Sequence, residues 1–149
     1  MNIYRMVGAE YGQRLIAPGV AGRWNSAGKF ALYAAESRSL TCLENLVHRS
    51  TESLMDNFVL LVIEIVSSIQ VEQLNPEDLP AKWFLPDNYF PCQSIGDEWI
   101  KSKRSCLLKV PSAIIQQEFN FLINVEHEDF QHVKILQREK FLFDPRVIS

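Results

Sequence analysis

From Phe58 to Val66 the chain runs Phe-Val-Leu-Leu-Val-Ile-Glu-Ile-Val, an apolar stretch interrupted only by Glu64. It is far too short to cross a bilayer and predicts a central strand buried on both faces. Such a strand needs a sheet with both faces covered, which the remaining segments have to supply.

Further strands are predicted on either side of it. Asn2 to Val7 reads as a short edge strand, and Lys29 to Ala35 as a strand with Phe30, Leu32 and Ala34 on one side and Ala31, Tyr33 and Ala35 on the other. Ile69 and Val71, reaching towards Leu74, then Cys106–Val110, then Asn120–Val125, continue the series, and Val133, Ile135, Phe141 and Phe143 supply one or two more before Asp144-Pro-Arg. Helices are fewer. One starts at a Ser37 or Ser39 cap and fades near Arg49 to Ser53, and another covers about Ser94 to Lys103. Asn75-Pro-Glu-Asp carries helix-start signals, but Pro80 and Pro86 keep any helix there short. Strands outnumber helices without alternating with them, so the expected class is α+β, one compact domain over residues 1–149 with a mixed or largely antiparallel sheet.

Charge and cysteine usage exclude several functions. A net charge of -3 gives no general attraction for nucleic acid or anionic lipid, so neither direct nucleic-acid binding nor a membrane is expected. The basic cluster Lys101-Ser-Lys-Arg104 follows a helix and reads as a solvated complement to its dipole. Three widely spaced cysteines, Cys42, Cys92 and Cys106, form neither a Cys-x-x-Cys nor a zinc pattern, so reduced thiols and no metal are expected. The amino terminus lacks signal-peptide character, which makes the cytoplasm the default.

Within this frame one helical residue is out of place. Leu40, Leu43 and Val47 recur at i, i+3 and i+7, and the i+4 position of that stripe is Glu44. Upstream, a loop reaching to about Gly28 holds five of the six glycines and carries Arg23 and Asn25. Long shaped loops in compact domains often line sites. A guanidinium suits a diphosphate, an aromatic face such as that of Tyr33 suits a cationic nicotinamide, and a fixed carboxylate stabilises a sugar that becomes cationic as its glycosidic bond breaks. Spacing alone leaves a duller reading open, in which Arg23 and Glu44 form a structural ion pair and Tyr33 is a core tyrosine.

Other polar positions read as structural by type. His48 lies one turn beyond Glu44 and suits a helix end, Ser112 after Val110-Pro suits a turn or cap, and Asn124 and His127 suit a turn closure. No Gly-x-Gly-x-x-Gly or Gly-Lys-Ser/Thr loop is present, so a nucleotide would be held in another way.

The stretch Gly22-Arg-Trp-Asn-Ser-Ala-Gly, followed by Leu32-Tyr-Ala-Ala-Glu-Ser-Arg-Ser-Leu-Thr-Cys-Leu-Glu-Asn-Leu-Val-His, resembles the signature of the RES domain, the toxin half of bacterial RES–Xre toxin–antitoxin modules. Val110-Pro-Ser-Ala, Asn120-Phe-Leu-Ile-Asn with His127, and Phe143-Asp-Pro-Arg resemble the later blocks of that family in order, so the likeness covers essentially the whole chain. The resemblance implies an ADP-ribosyltransferase-like fold and consumption of NAD as substrate by splitting nicotinamide from ADP-ribose. It implies Arg23 on the dinucleotide, Tyr33 near the nicotinamide end, Glu44 as the catalytic glutamate and Ser112 in the pocket; Asn25, on the same loop as Arg23, is expected as a further dinucleotide contact. Two departures bear on substrate entry: Ser26 stands where a proline is common after Arg-Trp-Asn, and Val20-Ala21 replaces a more usual aromatic–glycine pair.

The resulting expectation is a NAD-degrading toxin, occluded by an Xre-like helix-turn-helix antitoxin in a hetero-oligomer, with a toxin dimer left open. Water, phosphate or a protein side chain could accept the ADP-ribose. A non-catalytic nucleotide- or protein-binding module is the alternative of a different class.

Overall fold

The apolar run does become a strand buried on both faces, but it lies next to the edge of a seven-stranded sheet, and the segment expected at the edge, Asn2 to Val7, pairs on both sides instead. A computed structural model describes residues 1–50 and 52–148. In chain order its elements are β1 (Asn2–Gly8), β2 (Ala31–Ala35), α1 (Arg38–His48), β3 (Phe58–Glu64), β4 (Val71–Gln73), α2 (Phe90–Ser102), β5 (Leu107–Pro111), β6 (Phe119–Asn124) and β7 (Lys134–Phe141). The strand order is β4-β5-β6-β2-β1-β3-β7. Only β4 and β5 pair in parallel; the other neighbours are antiparallel, giving the expected α+β class with a mixed sheet.

Alternation along β3 divides the core. Leu61 and Ile63 join Ile3, Leu32, Ala34, Phe121 and Ile123 on one face, under Ile65, Ile69 and Val133. Phe58, Leu60 and Val62 face the other way, where Met6, Leu54 and Phe143 meet them and Cys42 and Leu46 of α1 pack against the group. On that same face, but as a separate cluster, Leu108, Val110 and Leu122 lie under Trp24, Trp83 and the α2 residues Cys92, Trp99 and Ile100. The helical side of the sheet is thus covered by two apolar clusters.

Each helix begins where its sequence dictates. Ser37 caps α1, its Oγ accepting the Leu40 N–H at 3.1 Å. The buried stripe of α1 is rotated from the one its leucines suggested: Leu40 and Thr41 are buried, whereas Val47 is 55% exposed. The reason is geometric, since Cys42 and Leu46 point at the β1–β3 cluster and turn Val47 outward. Helix α2 starts at Phe90, four residues before the expected Ser94, because Pro91 in the first turn lacks only an N–H that the first turn leaves unbonded. The tail forms a single strand, β7.

Strands β1 and β2 meet at one register pair, Tyr4 with Ala35. Beside it the half-buried Arg5 donates from Nη1 to the Tyr33 carbonyl at 2.8 Å. Burial, with Arg49 nearby, lowers Arg5 to about 10.

Candidate active site

The register of β2, β5 and β6 places a small polar group on the helical face of the sheet. Asn120 lies opposite both Ala35 and Val110, and Tyr33 lies opposite Leu122, all pointing to the side covered by the helices. Above them α1 brings Glu44.

Glu44 is half-buried, and one of its oxygens is fully engaged. Its Oε1 accepts from the Ser112 hydroxyl at 2.7 Å and from the Asn120 amide at 2.7 Å. Its Oε2 has no protein partner among the described residues. Ser112 is fully buried and fixed in turn, because its Oγ accepts the N–H groups of Ile114 and Ile115 at 3.1 and 3.2 Å. The hydroxyl therefore has its proton committed to Glu44 and its lone pairs to the backbone. Asn120 was not anticipated as a site residue. A polar residue on the inward side of a predicted strand was the available signal, but nothing in its local sequence pointed to Glu44.

Arg23 lies elsewhere on the same side and makes no ion pair with Glu44. Its Nη1 donates to the Trp83 carbonyl at 2.6 Å and its Nη2 to the Leu85 carbonyl at 3.2 Å, while the guanidinium stacks 4.5 Å from the Tyr89 ring centroid. Carbonyls orient the group without cancelling its charge, and no carboxylate pairs with it among the described residues. The Arg23–Glu44 ion pair left open by spacing is not formed.

Tyr33 and Asn25 hold the Arg23 loop together. The Tyr33 hydroxyl donates to Asn25 Oδ1 and accepts the Trp24 N–H at 3.1 Å. Asn25, 1% exposed, sends its amide to the carbonyls of Val20 at 2.9 Å and Lys29 at 3.0 Å. Every polar atom of the Asn25 side chain is thus spent within the loop or on the Tyr33 hydroxyl beneath it. Gly22 is required here, since a Cβ would stand 2.6 Å from the Tyr33 hydroxyl. Burial drives the Tyr33 phenol well above its ordinary range, with the charges of Tyr89 and Asp97 adding to the effect and the Trp24 N–H and Arg23 opposing it.

The remaining polar residues serve the frame. His48 is exposed at the end of α1, His127 Nδ1 accepts the Asp129 N–H at 3.0 Å, and Asn124 bridges the Ile100 carbonyl and the Glu126 N–H. Arg104 of the basic cluster pairs with Glu72 and Glu98.

The arrangement joins a carboxylate with one open oxygen, an oriented cation and an aromatic ring on one side of a sheet. The family model for the RES domain matches residues 3–144. The chain belongs to the RES domain family. Among curated RES relatives, the "Prs ADP-ribosylating toxin" of Sphingobium sp. (strain YBL2) is 40% identical over 129 residues, covering 85% of this chain and 80% of that one. A "Toxin Res" from Yersinia enterocolitica serotype O:8 is 40% identical over 127 residues, covering 85% and 83%. Among solved structures, the MbcT–MbcA toxin–antitoxin complex of M. tuberculosis contains a chain with the same fold, at a TM-score of 0.77 and 19% identity over 99% of this chain and 86% of that one. Among the described residues, no helix of this RES protein is long and apolar enough to cross a membrane.

Proposed function

We propose that this RES protein is the toxin of a toxin–antitoxin pair and acts by breaking the nicotinamide–ribose bond of NAD. The observation that carries the reading is the Glu44 carboxylate, held at Oε1 by Ser112 and Asn120 while Oε2 has no protein partner among the described residues. When the glycosidic bond breaks, its electrons leave with nicotinamide and positive charge spreads over C1 and the ring oxygen of the ribose. A carboxylate fixed before the reaction stabilises that charge without reorganising. The two donors hold the Glu44 carboxylate in one orientation, so Oε2 is the atom that faces the sugar. Arg23, oriented by carbonyls and not neutralised, serves the diphosphate; Tyr33 lends its ring to the nicotinamide end, its hydroxyl being used by the loop. Asn25 contributes through the shape of the loop, and Ser112 through the orientation of Glu44.

The acceptor then attacks C1 and loses a proton. Water gives ADP-ribose, phosphate gives its 1-phosphate, and a protein side chain gives an ADP-ribosylated protein. The name of the Sphingobium relative favours transfer to a protein as the second reading. The MbcT–MbcA neighbour, itself a toxin–antitoxin complex, supports an antitoxin partner, which we take to be an Xre-like protein that occludes the site.

Incubation of the pure protein with NAD, with free nicotinamide as the readout, tests the proposal. Nicotinamide release that scales with protein is expected. No release, with or without phosphate and a cell extract as acceptor source, would leave a binding module as the better reading.

A further inference from the structure

The Arg23 loop rests on a polar stripe of α2 that plays no part in the chemistry described above. Gln93 and Asp97 stand one helical turn apart on the same side. Gln93 Nε2 donates to the carbonyls of Gly22 at 2.9 Å and Asn25 at 3.3 Å. The Asp97 carboxylate accepts the Ser26 N–H at 2.9 Å on Oδ1 and the Ser26 hydroxyl on Oδ2. Between these two side chains sits Gly96, where a Cβ would fall 1.7 Å from the Trp24 carbonyl oxygen. Helix and loop backbones therefore touch directly, and the stripe grips residues 22, 25 and 26 on both sides of Arg23.

We infer that Gln93, Gly96 and Asp97 form a positioning platform that sets the height and direction of the Arg23 loop, and through it the affinity for the anionic part of the dinucleotide. The inference rests on the proposed use of NAD. It assigns these residues no contact with substrate. Arg23 is fixed at its guanidinium by the carbonyls of Trp83 and Leu85 and by Tyr89, and at its backbone by α2. Both anchors have to agree for the cation to lie where the diphosphate needs it. Glu44 is anchored independently through Ser112 and Asn120, on β5–β6 and the turn between them, so the platform governs binding and leaves the bond-breaking step alone.

Asp97→Ala and Asp97→Glu, each measured for nicotinamide release and for hydrogen exchange over residues 22–28, test this. Losing two hydrogen bonds to a carboxylate should raise KM for NAD by about ten-fold and keep kcat within about two-fold. Exchange over the loop should quicken while the β-strands keep their protection. Asp97→Glu retains the charge and should recover part of both effects. Unchanged KM in a folded Asp97→Ala protein, or a fall in kcat at constant KM, would overturn the platform. If the wild-type protein releases no nicotinamide, the functional proposal fails by itself, and the exchange data alone decide the platform: faster loop exchange in Asp97→Ala supports it, and unchanged exchange overturns it.

Discussion

Ser112 donates its hydroxyl proton to Oε1 of Glu44 at 2.7 Å, across 68 residues of sequence. This contact turns a helical carboxylate into a fixed one, because the serine is itself immobilised by two backbone N–H groups. The consequences can be tested residue by residue.

Glu44→Gln retains an oxygen that can accept from Ser112 and Asn120 but removes the negative charge. If the charge acts on the developing cation, turnover falls by about 10²–10³-fold, as for other preorganised electrostatic stabilisers, while the melting temperature stays the same or rises. A nicotinamide-release assay beside a melting curve checks this. A variant that cleaves NAD normally but melts far lower would make Glu44 a structural residue.

Ser112 and Asn120 share one acceptor yet should fail differently. Asn120→Ala deletes one donor to Glu44 and little else, so kcat should fall by roughly ten-fold, the equivalent of one hydrogen bond to a charged group, with a modest loss of stability. Ser112→Ala also strips the acceptor for the Ile114 and Ile115 amides, so about 1–2 kcal/mol of stability should go with the activity, as for a lost cap. Denaturant midpoints and kcat for both variants are the measurement. Equal stability losses would mean that the serine does not hold its turn.

The oddity of Glu44 was legible because helical spacing is a local property: a carboxylate four residues after Leu40 and three before Val47 needs an explanation wherever the helix packs. The direction of the helix face was not. Val47 looked like core, but the rotation of α1 is decided by which cluster Cys42 and Leu46 meet, a contact with β1 and β3 that no local pattern encodes. Strand β3 was readable for the opposite reason, since burial on both faces removes the alternation that would have to be aligned with a partner. Asn120 stayed hidden because only the register of β6 with β2 and β5 carries it to Glu44, 76 residues away in sequence. Arg23 was visible as a cation, whereas its anchors are carbonyls of residues 83–85, and main-chain acceptors leave no mark in a sequence.

The three cysteines should separate cleanly by access. Cys92 and Cys106 are fully buried, and burial pushes the Cys106 thiol up to about 12 and raises Cys92 as well. Cys42 is half-buried on α1, and its thiol is raised by the same cause. Titration with a thiol reagent at neutral pH should therefore modify Cys42 alone, slowly, and the other two only after denaturant is added. Mass mapping gives the answer, and rapid native labelling of Cys92 would contradict the packing of α2 against Trp24 and Trp83.

Tyr33→Phe asks whether the phenol acts as a loop staple. The ring remains, but Asn25 Oδ1 loses its donor and the Trp24 N–H loses its acceptor, both in buried surroundings. A cost of about 1–3 kcal/mol is expected, with KM for NAD rising more than kcat falls, because the loop that carries Arg23 loosens while Glu44 stays fixed. The pH dependence gives a sharper signature. Burial holds the folded phenol protonated well above the ordinary tyrosine value of 10.0, whereas the unfolded chain ionises near that value. Above it the unfolded state binds fewer protons than the folded state, so stability falls as pH rises. The contribution of Tyr33 is thus complete below pH about 10 and is lost progressively above it. Urea midpoints of the wild-type and Tyr33→Phe proteins from pH 8 to about 11 should differ by a constant amount up to pH about 10 and converge beyond it. A difference that widens in the alkaline range would show that the hydroxyl is not buried against Asn25 and Trp24.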